Sequence, residues 1–370
     1  ASNVGGNVTN AGDLILNGGT LSKAVTGSGK TSITGAVTAN SAISQAISIA
    51  ASGDLTANAG NIGGAVTNAG DLILTGGTLT KGVTGAGTTS ITGAVTANSA
   101  ISQTISISSS GDLTANAGNI GGAVTNAGDL ILTGGTLSKA VSGAGLTTIT
   151  GNTTNSAGIN QGVKVNSGIT LTNNAALGSA SGSVTNAGTI NSSADNIKGT
   201  VSNTGSLNLS GGTLSKAVSG AGTTNITGAV TSNSAISQAI NVVAAGDLTI
   251  NANNIGGAVT NAGDLILTGG TLSKVVSGSG KTTITGNTTN NSGINQGVSV
   301  NSGVTLTNNA ALGSENGAIT NSGTITSNAG NIKGTVTNNN TLNLSGGTLS
   351  KAVSGSGTTT ISANATNNGG

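Results

Sequence analysis

The sequence predicts an all-β fold, a single elongated parallel β-helix, or β-solenoid. One stretch, from Val66 to Leu79, carries a turn signal and two short strand patterns with a Gly-Gly corner between them. Close copies of this stretch start at Val8, Val124, Val201, Val259 and Val336. The chain has no Pro, Cys, Phe, Tyr or Trp, although 34% of its 370 residues are hydrophobic. A thin coil filled by stacked aliphatic side chains needs no aromatic rings, whereas a globular core of this size normally uses them.

The true period is shorter than the distance between copies, which takes two values. We call a repeat such as Val66 to Val124 the short unit, and a repeat such as Val124 to Val201 the long unit. A small residue followed by Gly recurs from Gly12 to Gly357, with Asn340 in place of one Gly, and gives 19 marks. A period near 20 with strand and turn signals is typical of a solenoid, in which each turn completes the core of its neighbours. We therefore expect about 19 coils in one continuous domain over residues 1–370, on the order of 90 Å long at roughly 4.8 Å per coil.

The first unit shows how a coil is expected to form. Asn10-Ala11-Gly12 turns the chain, Asp13 to Leu16 forms a strand, Gly18-Gly19 turns it again, and Thr20 to Val25 forms a second strand. Leu21 and Lys23 would share a face in an ideal strand. A bend between them is predicted, because Lys23 and its five copies should form a column that points into water. The predicted apolar columns include Leu14, Leu72, Leu130, Leu207, Leu265 and Leu342.

Later coils are predicted as variations on this plan. Residues 36–52 form a longer excursion, expected to be a loop, and the long units gain an extra coil at Gly182 to Asn196 or at Gly317 to Asn331. Disorder is the competing interpretation of a chain so rich in Gly, Ser, Asn and Thr. Regularly placed pairs such as Leu72 and Leu74 oppose it.

Composition narrows the possible functions. The net charge is +2, from 11 Lys and 9 acidic residues, which is too dilute for a nucleic-acid interface. The absence of Cys excludes disulfides and thiolate metal sites. No run of about 20 apolar residues predicts a membrane span, and no stretch has the pattern of a signal peptide. Because the chain opens at Ala1 without Met, we expect a processed protein or a piece of a longer one.

The segment from Ala24 to Thr31, with a partner from Val275 to Thr282, nearly matches a phosphate-binding loop around Gly-Ser-Gly-Lys-Thr. The motif needs Gly where the chain has Ala24 or Val275, and it needs a helix after the Lys. A strand is predicted there instead. Nucleotide binding is therefore not expected, and no cofactor is predicted.

Carboxylates recur at one position after the Gly mark, in three successive pairs. The pairs are Asp54 with Asp71, Asp112 with Asp129, and Asp247 with Asp264. Stacking would place the members of a pair roughly 5 Å apart, a spacing that suits a glycoside-hydrolase pair or a cation. A catalytic pair would occur once, however, and calcium would want more oxygen ligands. With Lys30 expected between Asp13 and Asp54, and Lys281 after Asp264, we predict an exposed charge ladder and no catalytic or metal residue.

Threonine alternates in three segments, at 147–150, 282–285 and 358–361. Such alternation would suit the flat Thr array of an ice-binding solenoid. Irregular coils oppose this interpretation, since the step from Gly29 to Gly53 is longer than the step from Gly12 to Gly29. Thr also favours strands in any case.

The repeated pattern Val-Thr-Asn-Ala-Gly-x-Leu-x-Leu-x-Gly-Gly-Thr-Leu, seen again from Val201 to Leu214, resembles the β-helical passenger regions of bacterial autotransporters and filamentous-haemagglutinin-like adhesins. The resemblance covers the whole chain and implies a right-handed parallel β-helix exported to the cell surface as a stalk, adhesin shaft or fibre. The function expected is structural and non-catalytic. The alternative is a binding module, for ice or a host glycan, that uses one flat face.

Both termini resemble interior repeats. Asn3-Val4-Gly5-Gly6 matches the junction at Asn119 to Gly122, and Asn364 to Gly369 matches the run from Asn287 to Ser292. A solenoid needs capping coils at its ends. We therefore expect the coils to continue, either within a longer chain or by end-to-end stacking of subunits into a filament. The expected partner is another copy of the chain; a cell-surface receptor remains open.

Overall fold

The computed structural model describes residues 1–369 and confirms the predicted fold class, an all-β parallel solenoid of about 21 turns. Every strand pairing in its ladders is parallel, apart from one isolated antiparallel bridge between Ser314 and Gly317, among the residues described. The chain divides into two compact units, Ala1–Gly188 and Thr189–Gly370. Each is described by itself. The single domain over residues 1–370 and the right-handed winding stay predictions.

The first compact unit contains short strands and two 3-10 helices. The strands are Val8–Thr9, Asp13–Leu16, Gly19–Leu21, Val25–Thr26, Lys30–Ile33, Ala36–Ala39, Ala46–Ile49, Asp54–Ala57, Val66–Asn68, Asp71–Leu74, Gly77–Leu79, Val83–Thr84, Thr88–Ile91, Ala94–Ala97, Thr104–Ile107, Asp112–Ala115, Val124–Asn126, Asp129–Leu132, Gly135–Leu137, Val141–Ile149, Thr153–Asn155, Ile159–Val165, Thr170–Asn173 and Val184–Asn186. The helices are Ala59–Asn61 and Ala117–Asn119. Asn58 and Asn116 cap them by accepting a hydrogen bond from the backbone N–H two residues later.

The second compact unit is built in the same way. Its strands are Thr189–Ser192, Val201–Asn203, Ser206–Leu209, Gly212–Leu214, Val218–Ser219, Thr223–Ile226, Ala229–Ser232, Ala239–Val242, Asp247–Ile250, Val259–Asn261, Asp264–Leu267, Gly270–Leu272, Val276–Ile284, Thr288–Asn290, Ile294–Val300, Thr305–Asn308, Ile319–Asn321, Thr324–Asn328, Val336–Asn338, Thr341–Leu349, Val353–Ser354 and Thr358–Asn367. Its 3-10 helices are Ala194–Asn196, Ala252–Asn254 and Ala329–Asn331.

One turn of the solenoid carries three short strands in succession. Between Val25 and Ile43, which pair as neighbours in one ladder, the chain also passes through Thr31 and Val37, which belong to two other ladders. The segment from 36 to 52, predicted as a loop, therefore contains two strands, Ala36–Ala39 and Ala46–Ile49. That prediction was wrong because Ala-Val-Thr-Ala and Ala-Ile-Ser-Ile, although small and polar, alternate with the period of a strand.

The short unit does not correspond to a whole number of turns. Leu14 pairs with Thr31, Thr31 with Ile47 and Ile47 with Val66, so three turns after Leu14 the ladder has reached Val66. Leu72, the sequence copy of Leu14, pairs with Leu55 in the next ladder. A short unit thus spans three turns plus one strand. The Gly marks skip that extra strand, which is why they give about 19 coils instead of about 21.

The long unit that follows Val259 adds one whole turn. Leu265 pairs with Thr282, and the ladder continues through Val298 and Ile319 to Val336, four turns later. Leu342, the copy of Leu265, again belongs to the next ladder. The long unit therefore spans four turns plus one strand, as the predicted extra coil requires.

The core consists of aliphatic side chains on the inner face of each strand. Leu72, Leu130, Leu207, Leu265 and Leu342 are all 0% exposed, which confirms the predicted apolar positions. Leu14 is only half-buried, because it lies in the first coil of the described chain and has a neighbour on one side alone.

The predicted strand from Thr20 to Val25 is interrupted. Strands Gly19–Leu21 and Val25–Thr26 are separated by a corner at which Lys23 is exposed, so the predicted bend between Leu21 and Lys23 is present. The predicted single column of Lys residues was wrong. Because each unit ends one strand further around the coil, Lys23, Lys81 and Lys139 lie at successive corners.

Candidate functional sites

The segments that resemble a phosphate-binding loop lie in the sheets. Lys30 begins strand Lys30–Ile33, and Lys281 lies within strand Val276–Ile284. A phosphate-binding loop presents its amides at the start of a helix. Here the amides of both lysines are committed to parallel ladders, donating to Gly12 O at 2.9 Å and Gly263 O at 3.0 Å.

The acidic pairs occupy neighbouring positions of the ladders, as predicted. Asp54 pairs in register with Asp71, Asp112 with Asp129, and Asp247 with Asp264. All six carboxylates are exposed or half-exposed. Like charges directly opposite each other repel by a few tenths of a kcal/mol up to about 1 kcal/mol.

The predicted charge ladder is only partly present. Lys30 does not lie between Asp13 and Asp54, because its other neighbour is Ala46, whereas Asp54 neighbours Ala36. Lys30 does pair with Asp13, with 3.8 Å between Nζ and Oδ2, and about half of each side chain is exposed. An ion pair so exposed contributes little to stability.

Lys281 neighbours Asp264, as predicted. Residues 1–369 contain no group of three or more His, Cys, Asp or Glu side chains that could hold a metal ion. Nor does any helix within that range have the length and apolar character to cross a membrane.

Two of the three alternating Thr segments, at 147–150 and 282–285, do not form the array that their sequence suggests. Thr147 and Thr282 point inward, are 0% exposed, and accept hydrogen bonds from Gln161 and Gln296 at 2.7 Å. Their outward neighbours are not stacked on further threonines. Thr148 lies between Ile131 and Lys164 in its ladder.

Sequence reasoning missed a set of buried amides. Gln103 is 4% exposed, and its Oε1 accepts hydrogen bonds from Thr89 Oγ1 at 2.6 Å and from Asn68 Nδ2 at 3.0 Å. Asn68 also donates to Thr88 O and accepts from Gly70 N, so it links the turn to the strand above it. We call such a Gln, Thr and Asn group an amide box.

The Gln–Thr pair of the amide box recurs in both compact units. The buried glutamines are Gln45, Gln103, Gln161, Gln238 and Gln296, each 4% exposed or less. Each bonds the Thr found 14 residues earlier. Their sequence signal is an Ile two residues before the Gln, since alternation places both side chains on the inner face.

Two buried side-chain acceptors lack a partner in the part of the chain that the structure describes. Asn261 Oδ1 and Gln296 Oε1 are buried without a hydrogen bond. Gln296 donates its Nε2 to Thr282, whereas Gln103 accepts from Thr89 through Oε1. The two glutamines thus turn opposite ends of their amides toward the Thr.

A shallow depression of about 220 Å³ lies in the first compact unit, lined by Asn98, Asn116, Asn119 and Thr133 among others. Its lining consists of amide, hydroxyl and methyl groups without a charged side chain. Comparison with protein-family models, with curated proteins and with solved structures finds no match for this chain.

Proposed function

We propose that this chain is a structural solenoid, a stiff shaft whose function is mechanical and non-catalytic. The observation that carries the proposal is the buried Gln–Thr pair of the amide box, which occurs five times among the described residues. Buried polar groups that are paired fix the register of a core, because any slip leaves them without partners. A device that locks the register of successive turns suits a protein that bears load along its axis.

The arrangement of the repeats also favours a shaft. Each repeat is one strand longer than a whole number of turns. The equivalent residues Leu14, Leu72 and Leu130 therefore lie in three different ladders. The exposed groups of the unit, such as its Lys, are turned with them. A module that reads a ligand with its repeated motif would be expected to stack that motif on one side.

The proposed location is outside the cell, at a bacterial surface, and the proposed role is that of an adhesin shaft or fibre. Both rest on the resemblance to the passenger regions of autotransporters and filamentous-haemagglutinin-like adhesins. The absence of enzymatic activity belongs to the same proposal. The parallel solenoid and its repeated coils are compatible with it.

Self-association into filaments is a further part of the proposal. Parallel solenoid coils present the same ladders turn after turn, so the coils of one copy can continue those of another by heterologous stacking. Light scattering of residues 1–370 against concentration tests this, and a monodisperse monomer at high concentration would contradict it.

Small-angle scattering tests the shaft itself. The proposed shaft requires that all coils stack along one axis, which at roughly 4.8 Å each gives a length of about 100 Å and a radius of gyration near 30 Å. A compact domain of this length would have about 21 Å. A measured radius close to the compact value would refute the shaft.

A further inference from the structure

Outward-facing threonines form two adjacent rows on one ladder of the second compact unit. The first row is Thr305, Thr324, Thr341 and Thr358, and the second is Thr271, Thr289, Thr307, Thr326, Asn343 and Thr360. All are exposed or half-exposed. Over four successive turns the rows run side by side, since Thr305 and Thr307 flank the inward Leu306 and the same alternation follows on the next three strands, with Asn343 in place of one Thr. We call these residues the Thr face.

The irregular spacing of the sequence does not disturb these rows. The step from Thr305 to Thr324 is longer than the steps to Thr341 and then to Thr358, yet each Thr pairs directly with the next, because the corners absorb the difference. The hydroxyls and methyls therefore repeat at about 4.8 Å along the ladder and about 6.6 Å along each strand. Irregular coils do not exclude a regular Thr array in this part of the chain, and the prediction that they would was wrong here.

Rigid support comes from the core behind the rows. Leu306, Ile325 and Leu342 are 0% exposed and alternate with the outward threonines. The array is thus fixed before any ligand arrives, which lowers the ordering cost of binding.

The Thr face is also uncharged and chemically open. Its strands, Gly270–Leu272, Thr288–Asn290, Thr305–Asn308, Thr324–Asn328, Thr341–Leu349 and Thr358–Asn367, contain no Asp, Glu or Lys. At a corner, Thr285 Oγ1 donates to Leu267 O at 3.1 Å. On the Thr face only Thr341 makes a side-chain hydrogen bond of this kind among the residues described, to Asn340 Oδ1 at 3.3 Å. The other hydroxyls remain available to water.

A second uncharged row in the same compact unit behaves differently. Asn208 donates to Asn191 at 2.7 Å, Asn225 to Asn208 at 2.7 Å, and Asn241 to Asn225 at 3.1 Å. These amides satisfy one another along the ladder. Regular spacing alone therefore does not distinguish the Thr face; the combination of spacing and open hydroxyls does.

We propose that the Thr face binds the surface of ice. Its ligand is hydrogen-bonded water that repeats at fixed distances, and the spacing of the Thr face along the ladder is close to a repeat distance between water oxygens in ice. Each Thr offers a hydroxyl that holds a water molecule and a methyl that confines the neighbouring one. A sugar ligand is less well matched, because the face has no aromatic ring for stacking and no charged group, and the chain contains no aromatic residue at all.

The ice-binding proposal goes beyond the structural role, and a negative result for ice binding would leave the structural proposal unaffected. The test is thermal hysteresis and ice-crystal shaping by the full chain, compared with the variant Thr307→Lys/Thr326→Lys, which places two long side chains in the second row. The control is Thr231→Lys/Thr249→Lys, which changes two outward threonines paired in register on another ladder of the same compact unit. Circular dichroism of both variants verifies that the fold is kept.

The full chain is expected to shape ice and to depress its growth temperature. Thr307→Lys/Thr326→Lys should lose most of the hysteresis, by at least about fivefold, while the control retains it. Absence of shaping by the full chain would overturn the proposal, and so would equal loss in both variants. Retention on immobilised polysaccharide without activity on ice would overturn it in favour of a glycan-binding face.

Discussion

Removal of the Gln103 amide should destabilise the solenoid although no aliphatic packing is lost. Gln103→Leu keeps a side chain of similar size but deletes the acceptor of Thr89 Oγ1, at 2.6 Å, and of Asn68 Nδ2, at 3.0 Å. Each donor left buried without a partner costs about 1–3 kcal/mol. The Leu side chain buries more apolar surface than the Gln amide, which stabilises the fold by about 1 kcal/mol. For the two donors together, less the gain from burial, the free energy of unfolding should therefore fall by about 1–5 kcal/mol.

The assay is urea unfolding followed by circular dichroism, with the full chain and its variants. The control is Ser102→Ala at the exposed residue immediately before Gln103, which should change the free energy by less than about 0.5 kcal/mol. Thr89→Val combined with Gln103→Leu removes one of the two orphaned donors. The double variant should therefore be more stable than the sum of the single changes predicts, by about 1–2 kcal/mol.

Two outcomes would refute the reasoning. Gln103→Leu with the stability of the parent chain would mean that the amide box contributes no specific stabilisation. Strict additivity of Thr89→Val and Gln103→Leu would mean that the 2.6 Å bond between their side chains does not couple them.

Other changes probe the surface and the turns. Asp71→Asn or Asp129→Asn should leave the melting temperature unchanged or slightly higher, because each relieves a like-charge contact of less than about 1 kcal/mol; a calcium-dependent rise in melting temperature that either change abolishes would contradict this. Gly77→Ala should destabilise most, since φ is +88° and a Cβ would meet the Asn58 side chain. Gly168→Ala, with φ of +76° and open space around it, should lower the free energy of unfolding by about 1–2 kcal/mol. Gly5→Ala, in open space at an ordinary φ, should leave it almost unchanged. Equal losses of stability in all three variants would show that neither φ nor the contact matters.

Much of the fold could be predicted because its signal is local. Alternation in segments such as Asp71–Leu74 determines which side chains enter the core, whatever the rest of the chain does. The number of turns was less accessible. It depends on how many strands lie between two Gly marks, and the small residues of Ala36–Ala39 hide one of them.

The candidate surfaces were harder to predict for two physical reasons. Gln103 is a polar residue that composition assigns to the exterior, and only its alternation with Ile101 shows that it points inward. The Thr face depends on the register between turns. That register is set by corner lengths, so Thr305 and Thr324 become neighbours although they are far apart in sequence. The more obvious run at Thr147 and Thr148 is split between the two faces of its strand.

Because every repeat contains one strand more than a whole number of turns, the number of repeats determines which side of the solenoid the later residues face. Duplication or deletion of one short unit, a common event in repetitive genes, would not simply lengthen or shorten the solenoid; it would rotate everything downstream by one side. Three such events would return the downstream residues to the side of the solenoid that they faced before. The long unit rotates the chain by the same step while adding one more turn. The choice between short and long units can therefore change the length of the solenoid separately from the side that later residues face.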